Sequence, residues 1–198
     1  MHGKRREYMG NTRVIGIVSG ILFLVQVVFS EVLSINSALS SNYYHSVREY
    51  FMLNWTSLIS VFIVLLFSIS LMADSVLFGL VMRIIAAIYT AFDSITKIVL
   101  LMGGNHVSAE LMFYRVPLYI ITILISVLAV LAYIVKGFRA RMLCFISGVL
   151  CLASPVFAAA RGSMISWQYA VSTLLLISAY IFLGLYLGGK RRKAKTVT

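Results

Sequence analysis

Six apolar runs, each close to the length of a membrane-crossing helix, constrain this chain more than any motif in it. A spanning helix needs about 20 mainly apolar residues. The runs cover 14–34, 55–73, 76–102, 116–135, 142–160 and 166–188. Of 198 residues, 61% are hydrophobic and 12% are charged, against about 45–50% and about 25% in soluble domains. A soluble core of this size cannot hide that excess, because roughly 30% of the unfolded chain's surface stays in water after folding. The sequence therefore predicts an all-α fold, a polytopic membrane protein built as a six-transmembrane-helix bundle. Composition excludes a soluble enzyme, a disordered chain and a disulfide scaffold.

Charge placement predicts orientation. Lys and Arg outnumber Asp and Glu by 17 to 6, for a net charge of +11. The basic residues gather in three places: Lys4, Arg5, Arg6 and Arg13; Lys136, Arg139 and Arg141; and Lys190, Arg191, Arg192, Lys193 and Lys195. With six spans all three fall on one side, and cytoplasmic loops carry the Lys and Arg excess. Both termini are thus expected in the cytoplasm. The chain divides into a basic segment 1–13, a transmembrane domain 14–188 and a basic tail 189–198. The expected location is a cell membrane, plasma or inner, crossed several times. The lipid bilayer is the first partner, and the basic ends would attract anionic lipid headgroups. This topological account of the charge leaves no reason to invoke nucleic acid. The first run is nearer span length than a 7–15-residue signal core, so it reads as a retained signal-anchor.

Helical spacing singles out the third span. Arg83, Thr90 and Lys97 recur every seven residues, with Ala86, Ala87, Asp93 and Ser94 between them. At 100° per residue these share one face, and Phe92 points away. Asp93 precedes Lys97 by four residues, the favoured order for an intrahelical pair. Ionisable groups at membrane depth are costly and normally face the bundle interior, a partner or water. Arg83, Thr90, Asp93 and Lys97 are therefore candidate solute-binding residues. Gln26, Glu31 and Tyr169 join them, because the polar inventory is weighted towards the outer half and implies an outward-opening cavity. Tyr43, Tyr44, His45, Tyr50 and Phe51 in the first outer loop would cover it. The bland alternative is that Asp93 and Lys97 neutralise each other while Arg83 snorkels to the cytoplasmic surface.

Small residues mark a second kind of face. Gly16 and Gly20 on the first span, and Gly148, Cys151 and Ala158 on the fifth, allow close helix approach. They read as helix-packing positions or as a docking face for a membrane partner. Pro155 removes one helical hydrogen bond and should kink the fifth span. Cys144 and Cys151 stand seven residues apart on a helix face, about 10 Å along the axis, too far for a disulfide.

Catalytic constellations are missing. None of His2, His45 and His106 lies in a span. There is no H-E-x-x-H, no C-x-x-C, and no Gly-rich phosphate loop. No catalytic residue, metal site or cofactor is predicted, and the chain is not expected to be an enzyme. Any ATPase would be a separate subunit.

Two functions remain in view. One is a small-solute transport or solute-binding membrane subunit. The other is a non-catalytic interaction subunit for assembly, immunity or sensing, docking to another membrane subunit through its small-residue faces. An intramembrane enzyme is a poorer fit. In length, span count and orientation the chain resembles the substrate-binding subunits of energy-coupling-factor vitamin transporters. That resemblance implies an energising partner. Those proteins tend to carry Ala-xxx-Ala in the first helix, where this chain has Gly16 and Gly20.

Overall fold

The structure is a computed structural model. It describes residues 2–40, 46–47, 54–103, 109–135, 137–160, 162 and 166–190, with side chains from Thr12 in the first helix, from Phe113 in the fourth and up to Gly189 in the last. Among the described residues the chain is helical, with no strand. The helices are α1 (His2–Ser40), α2 (Trp55–Met72), α3 (Val76–Gly103), α4 (Ala109–Ile134), α5 (Phe138–Leu150), α6 (Ala153–Ala160) and α7 (Trp167–Lys190). Taking α5 and α6 as one span, six segments are long and apolar enough to cross a membrane. The chain is a multi-pass integral membrane protein. The aromatic first loop (Tyr43, Tyr44, His45, Tyr50 and Phe51) lies outside the described residues, as does the tail beyond Lys190.

Three elements differ from the sequence expectation. Helix α1 has 39 residues, about 58 Å at 1.5 Å per residue, so it overruns an apolar core of about 30 Å. No proline stops it at either end. Helix α4 begins at Ala109 and carries Pro117 inside it, although Pro117 denies the carbonyl of Phe113 its helical partner. The fifth span breaks rather than bends. Residues 151 and 152 form a turn between α5 and α6. The Cys151 amide donates to the carbonyls of Ser147 and Gly148, at 3.3 and 3.2 Å. Pro155 supplies the reason, since it has no N–H to give the Cys151 carbonyl.

The turn between α2 and α3 is tight. Asp74 adopts a left-handed conformation with φ 58°, which Asp tolerates better than most residues. The Ser75 amide donates to the Ser70 carbonyl at 3.0 Å, closing α2. Ser75 Oγ then accepts from the Phe78 amide at 3.4 Å, capping α3.

The spans form a ring in sequence order. Each packs on its neighbours, from α1 through α5, then α5 on α7, and α7 closes on α1 through the most extensive contact of all. The well-packed core fills only the half of the ring where α1 enters and α7 leaves. It comprises Phe67 and Leu71 of α2, Met82 of α3, Ala129 and Tyr133 of α4, Ala140 and Cys144 of α5, and Leu183 and Tyr186 of α7. Both cysteines are free. The outward surface is apolar: Phe92, opposite the Arg83 face, is 70% exposed, as a lipid-facing side chain should be.

The glycine faces are used inside the chain. A Cβ on Gly16 would stand 2.8 Å from the Tyr186 ring of α7. One on Gly20 would stand 2.9 Å from the Ser68 carbonyl of α2. Gly148 faces Ile177 and Tyr180 of α7, with the Ile177 carbonyl 3.5 Å from its Cβ position. Cys151 is buried, and Ala158 is half-buried on α6. Gly16, Gly20 and Gly148 thus bring α1, α2, α5 and α7 together.

Candidate functional site

The half of the ring away from the termini is hollow. Three voids follow one another into it. The outermost, about 640 Å³, lies between the far ends of α1 and α7 and is lined by Ser30, Ser34, Asn36, Ser37, Gln168 and Tyr169. The middle void, about 340 Å³, shares Ser30, Tyr169 and Ser172 with it. The innermost, about 270 Å³, shares Gln26, Thr90, Ser126, Leu176 and Tyr180 with the middle one. These shared walls make a path from the far end to the packed core, where Phe23 and Tyr180 belong to both.

The walls divide by chemistry. Leu118, Ile121, Ile125, Leu150 and Leu176 form an apolar side of the middle void. Hydroxyls, the Gln26 amide, the Cys151 thiol and Ala153 form the rest. Several hydroxyls donate back to their own helices: Thr122 to the Leu118 carbonyl at 2.8 Å, Ser126 to Thr122 at 3.1 Å, and Thr173 to Tyr169 at 3.0 Å. Helical Ser and Thr commonly make such bonds. Other groups tie helices together. The Gln26 amide donates to Ser172 Oγ at 3.3 Å, joining α1 to α7. The Tyr89 hydroxyl donates to the Thr56 carbonyl at 2.6 Å, joining α3 to α2. The Ser154 and Tyr169 hydroxyls are hydrogen-bonded to each other and join α6 to α7.

Among the described residues Arg83 is the sole charged one lining the three voids. It sits at the inner end, and its side chain turns into the bundle rather than snorkelling. Its guanidinium carbon lies 3.7 Å from the Phe67 ring centre, 4.6 Å from that of Phe23 and 5.6 Å from that of Tyr180. The rings themselves meet edge-to-face, Phe23 with Phe67 at 5.4 Å and with Tyr180 at 5.2 Å. Nε and Nη2 of Arg83 are buried and have no hydrogen-bond partner. Cation–π attraction of about 0.5–2 kcal/mol per ring offsets part of the desolvation. It cannot replace a counter-charge, because an unpaired buried ion carries a penalty of several kcal/mol.

The seven sequence candidates separate in space. Arg83, Thr90, Gln26 and Tyr169 line the connected voids. Asp93 and Lys97 do not. They pair with each other at 2.6 Å, with side chains 29% and 49% exposed. Glu31 is half-buried on α1 and lines none of the three voids. The stripe on α3 drifts because seven residues fall about 20° short of two full turns, and Lys97 folds back one turn onto Asp93. Phe23, Phe67, Tyr89 and Ser154 matter to the site but were not singled out. A Phe under a guanidinium and a Phe facing lipid look alike in an apolar run. Among the described residues no three His, Cys, Asp or Glu side chains come together as metal ligands would.

Comparison with known proteins finds no matching family, no similar curated protein and no similar solved structure.

Proposed function

We propose that this chain is a solute-binding or transport membrane subunit whose cavity opens on the side away from the termini. One observation carries the reading: connected polar voids run from the far end into the middle of a six-span ring, while the packed core sits in the other half. Taken together, the connected middle and inner voids, about 340 and 270 Å³, suit a small molecule, since ligand pockets occupy roughly 300–1,000 Å³. The positive-inside rule places that opening outside the cell. A ring closed by α7 on α1 is a rigid cup, and the dense core beneath would stop the solute from crossing unaided. Release to the other side then requires the core to open, which fits an energising partner such as a separate ATPase subunit. The described wall residues include no acid–base pair beside a nucleophile, which favours a reading of binding over turnover.

The test is purification in mild detergent from the native membrane, followed by mass spectrometry of bound small molecules. A stoichiometric small molecule that is lost when Thr90→Leu fills the shared wall of the voids is the expected result. A preparation with no small molecule at any stage, binding instead a membrane protein whose contacts leave the cavity empty, would overturn the reading.

A further inference from the structure

The single charge at the bottom of the path has a consequence for the ligand. Arg83 lies on α3 with Thr90 seven residues later and Ala86 between them, so one face of α3 presents a guanidinium, a small gap and a hydroxyl to the innermost void. Ser60 of α2 lines the same void. Among the described residues no carboxylate lines any of the three voids. The salt bridge between Lys97 and Asp93 leaves Arg83 aside. The positive charge is therefore focused into a narrow recess between low-dielectric helices, where electrostatic attraction is stronger than in open water.

We infer that Arg83 is the recognition group for a negative charge on the ligand, and that the ligand is a small organic monoanion, a carboxylate on a largely apolar body. This rests on the cavity being the solute site, as proposed above. The charge count argues for a monoanion, since one guanidinium without a second cation balances one negative charge. A carboxylate would supply the acceptors that Nε and Nη2 lack, once the guanidinium turns from the rings towards the void. The apolar body follows from Leu118, Ile121, Ile125 and Leu150, which line the middle void next to the inner one. The polar mouth between α1 and α7 argues for entry from water rather than sideways from lipid.

Cys151 provides a reporter that needs no knowledge of the natural ligand. It lines the middle void, and the other cysteine, Cys144, is fully buried in the core. A Cys144→Ala protein, reconstituted full-length in phosphatidylcholine vesicles, carries one thiol. Three methanethiosulfonate reagents are applied from the side away from the termini: sulfonatoethyl (negative), trimethylammonioethyl (positive) and methyl (neutral). Each rate is divided by that reagent's rate with a free thiol in solution. The expected result is a normalised preference for the sulfonate of about tenfold, the lower end of electrostatic focusing in charged clefts. Arg83→Gln should abolish the preference and Arg83→Lys should largely keep it. Should Arg83→Gln fail to insert, the normalised ratio in the Cys144→Ala protein decides alone. Equal normalised rates for both charged reagents would overturn the anion inference and leave the cavity reading standing. No reaction with any of the three, the neutral one included, would overturn the cavity reading itself. Vesicles containing phosphatidylglycerol separate the sources of a monoanion. Unchanged rates support a soluble ligand, whereas blockage by that lipid alone assigns Arg83 to a lipid headgroup and overturns the soluble carboxylate.

Discussion

The guanidinium of Arg83 stacks 3.7 Å above the Phe67 ring, and among the described residues no carboxylate lines its void to neutralise it. Stability alone does not favour this arrangement. Replacing buried ions by apolar groups of similar volume is often neutral or stabilising by about 1–4 kcal/mol. Arg83→Met should accordingly raise the ligand-free thermal midpoint in detergent, or leave it unchanged. A large drop in that midpoint would mean that the aromatic contacts hold Arg83 for the sake of the fold.

Asp93 and Lys97 should matter little to either stability or the cavity. Their pair is half-exposed and four residues apart on one helix. Such pairs contribute about 0.3–0.5 kcal/mol. Asp93→Asn and Lys97→Ala are expected to insert normally, shift the thermal midpoint by at most a degree or two, and leave Cys151 labelling rates within about twofold. Labelling rates measured on both variants check this directly.

The glycines of α1 should be intolerant. Gly20→Leu would drive a side chain into the Ser68 carbonyl 2.9 Å from the Cβ position, and Gly16→Leu into Tyr186. Overpacking typically costs about 1–3 kcal/mol, and more is expected here because α1 closes the ring on α7. Size-exclusion chromatography should show loss of the monodisperse folded peak. Gly103→Ala, with nothing within 4 Å of its Cβ position, is the matched control and should behave as the unmodified protein.

Tyr186→Phe tests the latch beneath the core. The Tyr186 hydroxyl donates to Asp74 Oδ1 at 2.8 Å, tying α7 to the turn between α2 and α3. Hydrogen bonds to charged groups are worth about 1.5–3 kcal/mol. The thermal midpoint should fall by several degrees. Because this latch lies at the end opposite the voids, the charge preference at Cys151 should stay the same.

The legible part of this protein was whatever depends on hydropathy and charge along the chain. The six spans and the lipid-facing side of α3 at Phe92 followed from apolar length and helical period. The break after α5 was partly legible, since Pro155 marked the span but not whether it would bend or part. What the sequence could not show was depth and partnership. Arg83 and Lys97 sit on one heptad stripe, and periodicity treats them alike. Helical drift and the proximity of Asp93 separate them: Lys97 finds a carboxylate one turn away, whereas Arg83 finds the rings of Phe23, Phe67 and Tyr180 from three other helices. Likewise Gly16 and Gly20 announced a close contact without naming the surface. Which helix fills such a face depends on how the ring closes. Closure of α7 on α1 brings together residues some 160 positions apart, such as Ser19 and Ala179. Local pattern carries no record of that distance, so the membrane-crossing architecture was written in the sequence, while the hollow half and its single buried charge were decided by tertiary packing.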